Sequence, residues 1–240
     1  MSRRVLIPLI AVAALVVLGG AGAYAYFFSG LRTSPATLAL SSPSPTTSAS
    51  ASTTAASGGT WTITSGSLAG YRVKEQFVGQ SSAHEAVART SGVTGTITIT
   101  RSGDTYTLST AKITVQLSGL ASVDSVAGYN VTNRDRIVQQ ALNVQSFPTA
   151  VFDASSVELP PAAATGQTVT VSVPGKLTIH GVTKDVTATL QLRVSAASAQ
   201  VAGTIPTTMT DFGVNPPSIG FTTVQPAVTI EVSLNLTQSA

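Results

Sequence analysis

The sequence predicts an all-β domain of about eight antiparallel strands with one short helical insertion, carried behind a transmembrane helix and a linker. Three observations predict it. Apolar and polar residues alternate with a period of two through most of the chain beyond Trp61, as in Val186, Ala188, Leu190, Leu192 and Val194. Such alternation marks a sheet with one buried face. The charge-free run from Val5 to Leu31 is long enough to cross a hydrocarbon core of about 30 Å as a helix. Between these two regions lies a stretch of Ser, Thr, Ala and Pro with little to bury.

Composition narrows the function classes. A chain of 240 residues fits one large domain or two small ones. The absence of cysteine excludes a disulfide framework and a structural zinc–thiolate site. Small residues dominate and Trp occurs once, which excludes a coiled coil. The formal charge of +3 is carried by Arg3, Arg4 and Arg32. From Thr60 onward ten basic and ten acidic side chains balance. A neutral domain gains little from counterion release, which argues against DNA or RNA as a partner.

The N-terminal residues 1–32 read as a membrane anchor, with the transmembrane helix at about 5–28. Arg3 and Arg4 precede the run and only Arg32 follows it. This bias puts the N-terminus in the cytoplasm and the remainder outside, as a single-pass protein of the cell membrane. Tyr24, Tyr26, Phe27 and Phe28 fall where an interfacial aromatic belt belongs. Ala23-Tyr24-Ala25 also fits a signal-peptide cleavage site, and cleavage would give a secreted protein. The run exceeds the usual apolar segment of a signal peptide and continues into Phe27-Phe28, which favours the uncleaved anchor. No cysteine follows, so a lipoprotein anchor is excluded. Export without disulfides fits a bacterial envelope. The sequons at Asn130 and Asn235 therefore carry little weight.

Residues 33–59 contain almost only Ser, Thr, Ala and Pro; Leu38, Leu40, Gly58 and Gly59 are the exceptions. Such a stretch is expected to be a disordered tether, because it cannot bury enough surface to offset its chain entropy. A glycosylated stalk is the alternative.

Residues 60–240 form the β domain. Val169, Val171 and Val173 alternate with polar neighbours, as do Ile113, Val115 and Leu117, and the last strand runs from Val228 to Leu236. Val and Thr suit a pleated surface. The exception to the period is Asp124 to Asn143, where Ile137, Val138, Ala141 and Leu142 share a helical face. Asp124 or Ser125 is expected to cap that helix, and Gly128-Tyr129-Asn130 to interrupt it. There are no internal repeats. Alternation alone leaves two architectures open, a two-sheet sandwich and a closed barrel. Eight strands make the smallest barrel that can hold one ligand.

Local strings point further. Gly175-Lys176-Leu177-Thr178-Ile179-His180-Gly181-Val182-Thr183-Lys184 resembles the G-x-LTIHGVTK signature of the YceI-like family. Asn133-Arg134-Asp135, Ser146-Phe147-Pro148-Thr149-Ala150-Val151-Phe152 and Asp211-Phe212-Gly213-Val214 occur in that family's order. The likeness runs from about Trp61 to Leu236. It implies an eight-stranded antiparallel lipocalin-like barrel with a helix in one connection. It also implies a polyisoprenoid or similar long-chain lipid held in an apolar interior, with no cofactor. The anchor and stalk resemble those of membrane-tethered actinobacterial relatives. The family's His-Ser pair before the second strand is absent here. Instead the segment reads Ala69 to Phe77, followed by an insert from Val78 to Arg89 carrying His84 and Glu85. That insert is expected to be an exposed loop.

Each candidate residue has a structural and a functional reading. His180 is either a strand-end histidine bonded to nearby backbone or a contact for a ligand head group. Arg134 and Asp135 either pin the helix as an ion pair or meet a diphosphate, for which Arg offers a fork of donors. Phe77, Phe147 and Phe152 are core or ligand platform, roles that coincide in a hollow barrel. Two separated histidines are too few for a metal site.

Enzyme motifs are lacking. There is no Gly-x-Ser-x-Gly elbow and no Gly-rich phosphate loop. Ser109-Thr110-Ala111-Lys112 matches Ser-x-x-Lys, but on a strand positions i and i+3 face opposite ways. The sequence thus predicts a non-enzymatic, membrane-tethered lipid-binding protein. The alternatives are an envelope interaction module with a filled barrel and an enzyme on lipid or cell-wall substrates. Self-association into a homodimer stays open.

Overall fold

The computed structural model describes residues 14–22, 32–41, 58–78, 82–126, 130–195, 197–220 and 222–239. Among the described residues ten of the strands build the barrel wall. They are β1 (Gly59–Ile63), β2 (Leu68–Phe77), β3 (His84–Thr90), β4 (Val93–Ser102), β5 (Thr105–Gln116), β6 (Thr149–Ala154), β7 (Val169–Ile179), β8 (Val182–Ser195), β9 (Ser198–Thr208) and β10 (Thr222–Gln238). β1 and β2 are two halves of one bent strand, since both pair antiparallel with β10, through Ile63↔Leu236 and Leu68↔Ser233. β3 and β4 are likewise one strand, pairing with β2 and β1 respectively.

Counted this way there are eight strands in a closed up-and-down ring. Each is antiparallel to the next, and β10 closes onto β9 on one edge and onto β1 and β2 on the other. Closure settles the choice that alternation left open. A closed ring leaves no unpaired main-chain edge. A register shift between Val224 and Val228 bends β10, and Pro226, which cannot donate to a ladder, sits inside it.

The two ends differ. At the lower end β5 and β8 pack against a 3-10 turn at Pro161–Thr165. Trp61, Tyr106, Leu108, Leu159, Ala163 and Val171 pack there as solid core. At the upper end lie Val78, the β7–β8 turn and the described parts of two long connections, 117–126 with 130–148, and 209–220.

The first long connection holds helix α1 (Thr132–Ala141). It lies inside the expected 124–143 stretch but starts later. Neither Asp124 nor Ser125 caps it. Asn130 Oδ1 instead accepts from the Thr132 backbone N–H at 3.0 Å and its hydroxyl at 2.5 Å, while Asp124 is engaged with the barrel wall. The expected interruption at 128–130 lies, apart from Asn130, outside the described residues.

His84 also departs from expectation. It opens β3 rather than an exposed loop, and is 4% exposed. The reason is its partner: His84 Nε2 lies 2.7 Å from Asp124 Oδ2.

Of the expected transmembrane span at 5–28, residues 14–22 are helical and exposed and the rest lies outside the described residues. Among the described residues no helix is long and apolar enough to cross a membrane.

The stretch expected to be a free tether begins as a strap on the barrel wall. Arg32 and Thr33 pair with Val126 and Ser125 beside the upper end. The Ser34 hydroxyl then donates to the Glu85 carbonyl at 2.5 Å. Arg72 and Arg89 donate to the carbonyls of Pro35 and Ala36 at 2.5 and 2.6 Å, and Arg193, near the lower turn, to that of Ser41 at 2.6 Å. Beneath the strap Glu231 is fully buried although it points outward. Its carboxylate accepts from Arg72 Nε at 2.8 Å, Arg89 Nε at 2.7 Å and the Leu38 N–H at 3.1 Å. Gly70 allows this, because a Cβ there would meet the Ala88 carbonyl oxygen at 2.1 Å and Arg89 Cγ at 2.9 Å. Residues 42–57 lie outside the described residues.

Candidate functional site

Alternate residues of every strand face inward, but the upper half of the barrel is not filled. Val73, Ile113, Leu177, Leu190, Ile205 and Val232, from six strands, wall a cavity of about 540 Å³. Ile137, Val138 and Ala141 of α1 line it at the mouth. Phe152 and Leu234 form its floor, and beneath them a second space of about 90 Å³ lies in the packed half. The interior is therefore a pouch open at the α1 end. Its volume is that of a site for one small or chain-like molecule.

Polar groups gather at one side of the mouth. Arg134 of α1 bonds Glu75 Oε2 through Nη1 at 2.9 Å and Asp124 Oδ1 through Nη2. The Ser122 hydroxyl also accepts from Arg134 Nη2, at 3.0 Å. Asp124 Oδ1 accepts the Val87 N–H at 3.0 Å, and its other oxygen meets His84. Asp135 accepts from the Ser122 backbone N–H at 3.0 Å and its hydroxyl at 2.5 Å. The network fastens α1 and segment 121–126 to β2 and β3. Tyr71, Glu75, Arg134 and Thr222 line the cavity. Among the described residues the buried Thr222 hydroxyl has no hydrogen-bond partner.

Burial and charge set the protonation states. Burial pushes the Glu75 carboxyl above its ordinary value, and Arg134 only partly offsets that. Burial acts on Asp124 in the same direction, but the bonds from His84, Val87 and Arg134 outweigh it and hold Asp124 low. Arg134 is desolvated too, yet Glu75 and Asp124 hold its pKa above the usual value. Burial raises Tyr71, which stays a neutral phenol. Among the described residues no group of three or more metal-binding side chains is placed to hold an ion.

The YceI-like domain family matches residues 61–236, the whole barrel. The chain belongs to the YceI-like family. Among solved structures, a polyisoprenoid binding domain from Saccharophagus degradans implicated in plant cell wall breakdown is similar at 16% identity and a TM-score of 0.52, over 75% of this chain and 98% of that one. BcnA of Burkholderia cenocepacia is similar at 18% identity and 0.46, over 69% and 95%. A YceI protein of Campylobacter jejuni is similar at 15% identity and 0.36, over 68% and 84%. The likeness to the Saccharophagus degradans domain is one of fold. No curated protein matches the chain.

Within this YceI-like barrel the residues singled out by sequence separate into two groups. Phe77, Phe152 and Arg134 line the cavity. Phe147, Asp135 and His180 do not. His180 and Gly181 form the β7–β8 turn, both at positive φ (53° and 74°). His180 Nδ1 lies 3.2 Å from the Phe212 carbonyl oxygen, and the ring meets Phe147 edge-on at 5.0 Å between centroids. Three of the family strings thus converge on one knot that joins two loops and a turn at the upper end. Asp135 holds Ser122.

Sequence reasoning missed Glu75, Tyr71, Asp124 and Thr222. Glu75 carried a signal: it is in phase with Tyr71, Val73 and Phe77, which places a carboxylate on an apolar face. Asp124 carried none, since its role depends on contacts with residues 40 positions away.

Proposed function

We propose that the protein binds a polyisoprenoid or similar long apolar lipid in its upper cavity, as a carrier or store and not as an enzyme. The observation that carries this reading is the 540 Å³ pouch, walled by aliphatic side chains and polar only at its mouth. Each buried CH₂ contributes about 0.8 kcal/mol, so a long chain binds there without specific polar contacts. At the mouth Arg134, the neutral phenol of Tyr71 and the Thr222 hydroxyl would meet a polar head, while Phe77 and Phe152 would pack on the chain. The likeness in fold to the polyisoprenoid binding domain of Saccharophagus degradans supports the same ligand class. The N-terminal run is proposed as an uncleaved anchor, with the barrel on the extracytoplasmic side of a bacterial membrane.

Native mass spectrometry of a chain beginning at Arg32, purified without detergent from a bacterial export compartment and then offered polyprenyl phosphate, tests the binding. One added mass matching a prenyl lipid is the expected result. A bare mass both before and after the lipid is offered overturns the proposal. Ala188 lines the cavity and is buried, and Ala188→Trp fills the space it faces. This variant should fold and lose the adduct.

A further inference from the structure

We infer that the rim of the barrel mouth, made by α1, segment 121–126 and the end of β2 at Val78, is a docking surface for the lipid bilayer that holds the N-terminal span. The inference rests on the reading of that span as an anchor and of the cavity as a lipid site.

The path of the chain fixes which end of the barrel lies near the membrane. The apolar run ends at Phe28, and the strap is already paired beside the mouth at Arg32. Four residue steps reach at most about 14 Å, whatever path residues 29–31 take. The strap then descends the outer wall from Glu85 past Glu231 to Arg193, and the chain enters β1 at the lower end. A free coil of the same length as 33–59 would have a root-mean-square span of about 30 Å and would let either end approach the bilayer. The strap removes that freedom.

The rim itself carries an independent mark. Outside 14–22, the large apolar side chains exposed among the described residues are Val78 (72%) and Val123 (46%). Val78 follows directly on β2 at the mouth, and Val123 lies in the segment that runs along the edge of β3, its N–H bonded to the Val87 carbonyl, and leads toward α1. Arg136 is exposed on α1, where it can meet lipid phosphate. At the opposite end the β4–β5 turn presents Asp104, fully exposed and 3.8 Å from Arg101, and no exposed large apolar side chain among the described residues. A bilayer surface fits a rim with exposed apolar and cationic side chains better than a turn whose charges are paired and which exposes no large apolar group. With the mouth on the bilayer, a chain-like lipid enters the cavity without exposing its methylenes to water, a cost of about 0.8 kcal/mol for each.

The test uses the full chain, which has no native cysteine. Val123→Cys and Asp104→Cys are each labelled with an environment-sensitive dye. Each is reconstituted in vesicles of phosphatidylcholine and phosphatidylglycerol containing a fraction of doxyl-labelled lipid. Quenching should be several-fold stronger at Val123→Cys than at Asp104→Cys. Replacing 34–41 by a Gly/Ser segment of equal length should abolish the contrast. Equal or reversed quenching, failure of the protein to float with the vesicles, or a contrast that survives strap replacement overturns the inference. Extraction of bound lipid from the same preparations keeps the two readings apart. A quenched rim without cargo removes the binding proposal alone, and bound cargo with an unquenched rim removes the docking surface alone.

Discussion

Single residues at the upper end work through backbone conformation and buried charge. Gly181 is at φ 74°, and a Cβ there would also meet Phe147 Cε1 at 2.6 Å. Gly181→Ala therefore combines left-handed strain with a clash in the knot around His180. A loss of about 1–3 kcal/mol is expected, read as a lower urea midpoint with an unchanged slope. Asp124 and Glu75 both bond Arg134, but their pKa values are displaced in opposite directions. Asp124, depressed when folded, contributes stability that is present above its unfolded pKa and lost as pH falls through the folded one. Glu75, raised when folded, behaves in the reverse sense: protonation relieves its burial, so acid favours the fold at that position. Asp124→Asn should thus cost about 3 kcal/mol at neutral pH, as expected when a buried charged partner is removed. The gap from the parent chain should narrow in acid. Glu75→Gln should cost clearly less at neutral pH. Urea titrations at several pH values check both, and equal costs for the two variants would refute the assignment.

At the scale of elements, the outer wall shows how burial decides the worth of an ion pair. Lys176 and Asp185 are 2.8 Å apart, and so are Arg72 and Glu231. The first pair is open to water, with side chains 62% and 85% exposed; the second lies under the strap at 7% and 0%. Asp185→Asn should therefore change stability by less than about 1 kcal/mol. Glu231→Gln should cost about 3 kcal/mol or more, although both positions face outward on their strands. Similar effects of the two substitutions in urea unfolding would show that the strap does not shield the wall. These pairs also mark what the sequence could convey. Alternation located the strands, because the inward phase of each is apolar, and the spacing of Ile137, Val138, Ala141 and Leu142 located α1. Glu231 is in the polar phase of its strand, and nothing local says that it is covered. The covering segment lies 193 residues away. Its one local trace is Leu38 and Leu40, two half-buried leucines in a run of small residues. Closure of the ring was illegible for a similar reason, since sandwich and barrel demand the same period of two, and only the pairing of β10 with β9, β1 and β2 separates them.

For the whole molecule, the division into a packed lower half and a hollow upper half has a thermodynamic consequence. The lower core supplies the contacts that hold the ring closed, with Trp61, Tyr106, Leu108 and Leu159 around the 90 Å³ space. The upper walls face one another across 540 Å³ and lack those contacts. A ligand that fills the pouch binds the folded chain and has no comparable site on the unfolded one. At a free concentration of one hundred times Kd, it stabilises the fold by about 2.7 kcal/mol. For a domain of this size, each kcal/mol moves the melting temperature by roughly 2–4 °C. Polyprenyl phosphate should thus raise the melting temperature of a chain beginning at Arg32 by about 5–11 °C, and that of Ala188→Trp by much less. In hydrogen exchange, protection should rise in the upper parts of β2, β8 and β10 and in α1, and stay unchanged around Trp61. A melting temperature unmoved by saturating lipid would mean that the pouch is not where the cargo is held. A uniform rise in protection would mean that the two halves open as one cooperative unit.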